Sequence, residues 1–134
     1  MGAVLGFDYG VRKIGVAVGQ TITHTATPLL TLPTRDGKPD WDAIGQLIRE
    51  WQPESLVVGL PYQMDDVEAP VAERARRFAR QLEGRYRLPV FLADERLTTL
   101  EAKRQLGRDA RRDALRVDAM AARLILETWL CDRD

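Results

Sequence analysis

Val4-Leu5-Gly6-Phe7-Asp8-Tyr9-Gly10-Val11-Arg12-Lys13-Ile14-Gly15-Val16-Ala17-Val18-Gly19 is the stretch on which the fold turns. Two apolar runs, Val4 to Phe7 and Ile14 to Val18, flank a polar turn that contains Gly10, the pattern of a β-hairpin with a longer loop. Thr23 to Thr31, rich in threonine and apolar residues, predicts a third strand. Pro33 to Pro39 is a loop by composition. Beyond it Asp40 is a suitable N-cap for a helix carrying Trp41, Ile44, Leu47, Ile48 and Trp51 on one face, and Pro53 follows its end.

A buried strand is predicted at Ser55 to Gly59. A helix with Val71, Ala75, Phe78, Ala79 and Leu82 on one face follows, with Gly84 as its stop, and then a short apolar strand from Pro89 to Ala93 ending in Asp94-Glu95-Arg96. The capping box Thr98-Thr99-Leu100-Glu101 predicts a short helix to about Gly107, and a last helix covers roughly Asp113 to Leu130. Three strands followed by alternating helices and strands make an α/β fold. Its sheet is mixed, with an antiparallel three-strand edge, two parallel strands and helices on both faces. At 134 residues, with no repeat and no long linker, one domain over 1–134 is expected.

Composition narrows the function classes. With 45% hydrophobic and 30% charged residues the chain is an ordinary globular protein, and it lacks both an 18-residue apolar run and a signal-peptide pattern. A cytoplasmic protein without a membrane span is expected. Cys131 is the only cysteine, which excludes an internal disulfide and suits a reducing compartment. Net charge is zero, yet residues 71–116 hold 13 basic and 7 acidic side chains, leaving 7 and 13 for the remainder. The basic run of Arg74, Arg76, Arg77, Arg80, Lys103, Arg104, Arg108, Arg111 and Arg112 is either a solvated face or a track for a polyanionic backbone.

In open α/β sheets, ligands collect outside the carboxyl ends of the parallel strands. Asp8 closes the first strand, and Asp94 and Glu95 close the fifth, so acids from distant parts of the chain converge on one rim. In the last helix Arg116, Arg123 and Glu127 share one stripe, whereas Asp118 is rotated by about 200° from Arg116, toward Ala121, Ala122, Ile125 and Trp129. A carboxylate on a packed face is costly unless it is paired or bound to a metal. A helix that begins late would make Asp118 its N-cap instead, and Asp8 alone could be a turn former. Three carboxylates without a His or Cys cluster suit a hard cation such as Mg²⁺ or Mn²⁺ better than zinc. The single histidine, His24, falls in the predicted third strand, away from the acids.

Four segments then carry a resemblance. Asp8 to Ala17, Val57-Val58-Gly59-Leu60-Pro61 with Met64-Asp65, Asp94-Glu95-Arg96-Leu97-Thr98-Thr99, and Val117-Asp118 followed by Ala121-Ala122 and Leu124-Ile125-Leu126 together resemble the bacterial Holliday junction resolvase family, also described as pre-16S ribosomal RNA nucleases. The resemblance runs through nearly the whole chain in order. It implies a ribonuclease-H-like fold and a nuclease dependent on Mg²⁺ or Mn²⁺. The catalytic and metal-ligating acids it implies are Asp8, Glu95 and Asp118, with Asp94 as a possible extra acid. Arg12, Arg96 and Arg112 are candidate phosphate contacts, because a guanidinium offers a planar fork of donors.

The implied substrates are a ribosomal RNA precursor, cut at its 5′ end, or branched DNA. Asp66 and Ala69 depart from glycines common in the family. Two other classes fit parts of the pattern. An Asp-x-Gly turn between strands also opens the sugar-kinase type of ATPase, but 134 residues lack room for its second domain. A non-catalytic RNA-binding assembly or transcription factor could keep the same fold. No heptad seam is present, so monomer and homodimer both stand.

Overall fold

The computed structural model describes residues 2–10, 12–60, 70–94 and 114–132. Five strands, β1 (Ala3–Tyr9), β2 (Lys13–Gln20), β3 (Thr25–Pro33), β4 (Ser55–Leu60) and β5 (Val90–Asp94), form one sheet in the order β3-β2-β1-β4-β5. β1, β2 and β3 pair antiparallel, with an irregularity between Val16 and Ala17, while β1–β4 and β4–β5 are parallel. Three helices are described: α1 (Trp41–Trp51), α2 (Pro70–Tyr86) and α3 (Ala114–Asp132). Among the described residues no helix is long and apolar enough to cross a membrane. The helix predicted from the Thr98–Glu101 capping box lies outside the described residues.

Side chains alternate across a strand with a period of two, so each strand feeds two cores. Leu5, Phe7 and Tyr9 of β1, Val16 of β2 and Leu56 and Val58 of β4 pack with Ile44 and Leu47 of α1 and Ala75, Phe78 and Leu82 of α2. Val4, Ala17 and Val57 pack on the opposite side with Ala122, Ile125, Leu126 and Leu130 of α3. Helices therefore cover both faces, as the strand-helix alternation predicts.

The local signals are met at α1. The Asp40 carboxylate accepts from the Ala43 backbone N–H at 3.1 Å, satisfying one of the donors that a helix start leaves unpaired. Gln52 closes the helix in a left-handed conformation, with its N–H on the Ile48 carbonyl.

Three expectations need correction. His24 is not a strand residue; it sits in the turn before β3 with φ 57°, its N–H bonded to the Gln20 carbonyl at 2.9 Å. Histidine is among the residues that tolerate this backbone region. The turn lies at the Ala3 end of β1, opposite Asp8.

The second correction is Gly84, which does not stop α2. The helix runs to Tyr86, whose hydroxyl donates to the Trp41 carbonyl at 3.2 Å, so tertiary contact carries the extra turn through the glycine. The third is the segment Pro33 to Pro39, which contains a tight hairpin. Arg35 and Lys38 exchange backbone hydrogen bonds of 3.0 and 2.9 Å around Asp36 (φ 53°) and Gly37 (φ 76°). Positive φ at both central residues is the two-residue turn for which Asp-Gly is favoured.

Candidate active site on the carboxyl rim

Asp8 stands at the carboxyl end of β1, half-buried, two residues beyond Gly6 on the α3 face. Its partners in register are Gly15 on β2 and Gly59 on β4, and the same row continues to Thr31 on β3 and Ala93 on β5. The carboxylate is thus flanked on both sides by residues without a side chain. A Cβ at Gly10 would come within 2.8 Å of the Lys13 carbonyl oxygen, so the turn after Asp8 demands glycine there for steric reasons. In the Asp-x-Gly motif the glycine thus has a structural reason.

Asp94 closes β5 opposite Leu60, so the ends of β1, β4 and β5 lie on one rim in register. Glu95, the next residue, is outside the described residues, as are Arg96 and Arg112. Asp118 is the fifth residue of α3, one turn before the buried Ala122 and two before Ile125. That position removes the reading of Asp118 as N-cap. α3 itself is held close to the sheet, since a Cβ at Gly6 would meet the Leu126 Cγ at 2.4 Å.

Farther along α3, Arg123 and Glu127 pair at 2.8 Å, occupying the predicted polar stripe. Arg12 is exposed beside the β1–β2 turn, and its carbonyl accepts from Thr34 N–H at 2.9 Å. Of the basic run, Arg74, Arg77 and Arg80 are exposed on α2 and Arg76 is half-buried, while Lys103, Arg104, Arg108 and Arg111 lie outside the described residues.

Among the described residues no group of three or more His, Cys, Asp or Glu side chains is assembled. The side chain of Asp8 is the part of the predicted triad whose surroundings are visible. The sequence reading missed its glycine neighbours. Gly59 is far from Asp8 in the chain, and Gly15, seven residues on, is set opposite it only by the hairpin register.

A sheet ordered β3-β2-β1-β4-β5 with helices on both faces is the ribonuclease-H-like architecture. The chain is similar in fold to Thermus thermophilus RuvC in complex with a Holliday junction substrate, with a TM-score of 0.60, 15% identity and coverage of 98% of this chain and 95% of that one. It is also similar in fold to the fowlpox virus resolvase in complex with Holliday junction DNA, with a TM-score of 0.58, 8% identity and coverage of 98% of each chain.

Sequence narrows the class to a family. The chain belongs to the family described as "RuvX: Holliday junction resolvase", whose model matches residues 2–132. It is 53% identical over 133 residues to an Azotobacter vinelandii protein named "Putative pre-16S rRNA nuclease", covering 97% of this chain and 94% of that one. A Nitrosococcus oceani protein of the same name is 52% identical over 132 residues, covering 97% and 87%.

Proposed function

We propose that residues 1–134 act as one nuclease domain that hydrolyses phosphodiester bonds in the 5′-end processing of pre-16S ribosomal RNA, in the cytoplasm. The observation that carries the reading is the position of Asp8. It is a carboxylate at the end of a central strand, between two glycines, on the face covered by the helix that bears Asp118. Membership in a nuclease family and the 53% identity to the Azotobacter vinelandii relative support the substrate class.

Asp8, Glu95 and Asp118 are the proposed catalytic and metal-ligating residues, with Asp94 as an additional acid. All offer oxygen donors, which fits a hard divalent cation, and the glycines beside Asp8 put no side chain in competition with it. Bound there, Mg²⁺ or Mn²⁺ would supply charge neutralisation at the phosphate and a water of lowered pKa. The acids hold and orient, and Arg12, Arg96 and Arg112 are the proposed donors to phosphate oxygens.

Cleavage of branched DNA is the second reading. It is favoured by the family's description and by the fold shared with RuvC.

The test is Asp8→Asn. The variant should melt like the parent and bind nucleic acid, yet lose metal-dependent cleavage of a 5′-extended 16S precursor by at least about a thousandfold, the scale of losing a group that acts only in the transition state. Cleavage that survives the substitution would sink the assignment. Offering a four-way DNA junction alongside the precursor decides between the two substrates.

A further inference from the structure

Behind Asp8, on the other side of the sheet, lies a second polar site. The residue after Asp8, Tyr9, points to the α1/α2 face, where its ring packs on Phe78 at 5.3 Å. Its hydroxyl donates to the Gly37 carbonyl at 3.2 Å and so anchors the Asp36-Gly37 hairpin turn against the carboxyl end of β1. The guanidinium of Arg74 reaches the turn from α2, lying 3.5 Å from where a Gly37 Cβ would stand.

Between turn and helix is a cleft of about 260 Å³ lined by Tyr9, Asp36, Lys38, Arg74, Arg77 and Gln81, among others. It is not built by a single helix face. Lys38 comes from a turn thirty-odd residues away in sequence from α2, and the left-handed pair Asp36-Gly37 is what presents it. Three cations against one carboxylate give the cleft a net positive lining, with Tyr9 and Gln81 adding neutral hydrogen-bonding groups. Asp36, Lys38, Arg74 and Arg77 are all exposed, so the cleft is open to a ligand from solvent, and a phosphate would meet its three cations with charge-assisted hydrogen bonds.

We propose that this cleft binds a backbone phosphate of the polynucleotide substrate, neighbouring the phosphate that is cleaved at Asp8. The proposal rests on the nuclease reading above. Because Tyr9 follows Asp8 directly, a strand crossing the end of β1 meets the acid rim on one face of the sheet and this cleft on the other. The cleft therefore positions the strand rather than reacting with it, and it reads backbone rather than base, as phosphate contacts do.

The experiment compares Arg74→Gln/Arg77→Gln and Lys38→Gln with the parent and with Arg80→Gln/Arg85→Gln. The last pair removes the same charge from α2 outside the cleft, where Arg80 faces Glu73 at 3.6 Å and Arg85 lies over the Trp41 ring. The probes are a single-stranded RNA oligonucleotide and a four-way DNA junction, with binding followed by fluorescence anisotropy across a salt series. The cleft double variant should bind about tenfold or more weakly, with a salt slope shallower by about 1 to 1.5, while the control pair stays near the parent. KM should rise with kcat held.

Equal losses in the two double variants would overturn the proposal, since they would report a diffuse field. So would an unchanged salt slope in the cleft variants. Inorganic phosphate and a nucleoside monophosphate serve as competitors; tight binding of either to the cleft without any effect on polynucleotide affinity would also overturn it, by assigning the site to a free ligand. Asp8→Asn separates the two readings. If that variant binds like the parent and the parent does not cleave, the nuclease reading fails. If the parent cleaves and the cleft variants match it in KM and slope, the cleft proposal fails alone.

Discussion

The two faces of the sheet are built from different residue sizes. Toward α1 and α2, Phe7 and Phe78 meet edge to face at 5.6 Å, and Trp41 stacks on Phe78 at 5.7 Å. Toward α3, Val4, Val57 and one ring pair, Phe91 with Trp129 at 5.1 Å, are joined by Gly6, Asp8, Gly15, Ala17, Gly19 and Gly59, closed by Ala122, Ile125 and Leu126. The first face buries large rings and holds the fold. The second has its one ring pair toward the β5 side, and around β1 its glycines let α3 approach and flank Asp8 at the rim. The aromatic core and the rim that bears Asp8 are thus on opposite faces of one strand, with Phe7 and Asp8 as adjacent residues pointing apart.

The division is broken most severely on the aromatic face. Phe78 is 1% exposed and touches Phe7, Tyr9 and Trp41, so Phe78→Ala should cost about 3 to 5 kcal/mol in urea unfolding, through lost burial and the cavity left behind. A cost under about 1 kcal/mol would mean that this face does not carry the stability assigned to it.

Gly6→Ala tests the other face by adding one methyl group. The new Cβ would fall 2.4 Å from the Leu126 Cγ, an atom in the middle of a fully buried side chain that has little room to retreat. Overpacking of this kind costs about 1 to 3 kcal/mol, and here α3 must shift to relieve it. Because Asp118 lies on α3, cleavage should fall further than the loss of folded protein accounts for. Trimming Leu126 to alanine in the same chain should recover part of the stability, giving a coupling of about 0.5 to 3 kcal/mol; strictly additive effects would deny the contact.

The strands and helices behind this division could be read in the chain itself, because the apolar runs Val4 to Phe7 and Ile14 to Val18 and the helical spacing in α1 and α3 are local patterns. The cap at Asp40 and the parallel strand at Ser55 were legible for the same reason. What was not legible depends on long-range pairing. Nothing near Asp8 in sequence announces Gly59 as its neighbour; the β1–β4 register does. The Asp36-Gly37 turn carried a recognisable dipeptide but only two flanking residues of strand character, too few to distinguish it from loop. Glu95 is also legible from its place after the fifth strand, and Arg96 and Arg112 from guanidinium chemistry, but all three lie outside the described residues.

Tyr86 offers a gentler probe of the aromatic face. Burial raises its phenol pKa above 10.0, opposed by the nearby Arg85 and Arg49 charges and aided by Asp42. A raised folded pKa means that the native state keeps its proton when the unfolded chain has begun to lose it. Its contribution is therefore complete below about pH 10 and lost as pH rises through the folded value. Tyr86→Phe removes the hydrogen bond to the Trp41 carbonyl and should cost about 0.5 to 1.5 kcal/mol near neutrality. Urea midpoints of parent and variant should then converge above about pH 10; parallel curves would contradict the burial effect.

The smallest expected effect has the opposite sign, and it decides where α2 ends. Read locally, Gly84 is a helix stop, and a glycine stop is left-handed, so alanine there would be strained and destabilising. In the structure the only glycine with positive φ among the described residues is Gly37, and the left-handed residue after α2 is Arg87 at φ 55°. Gly84 is exposed inside the helix, and a Cβ there would meet nothing within 4 Å. Gly84→Ala should therefore stabilise the protein by about 0.5 to 1 kcal/mol, by removing backbone freedom from the unfolded chain. Thermal melting would rise by a few degrees with cleavage unchanged, because neither face of the sheet is touched. A fall in melting temperature would return the stop to Gly84 and leave the Tyr86 contact with Trp41 as a consequence of chain direction rather than the force that extends the helix.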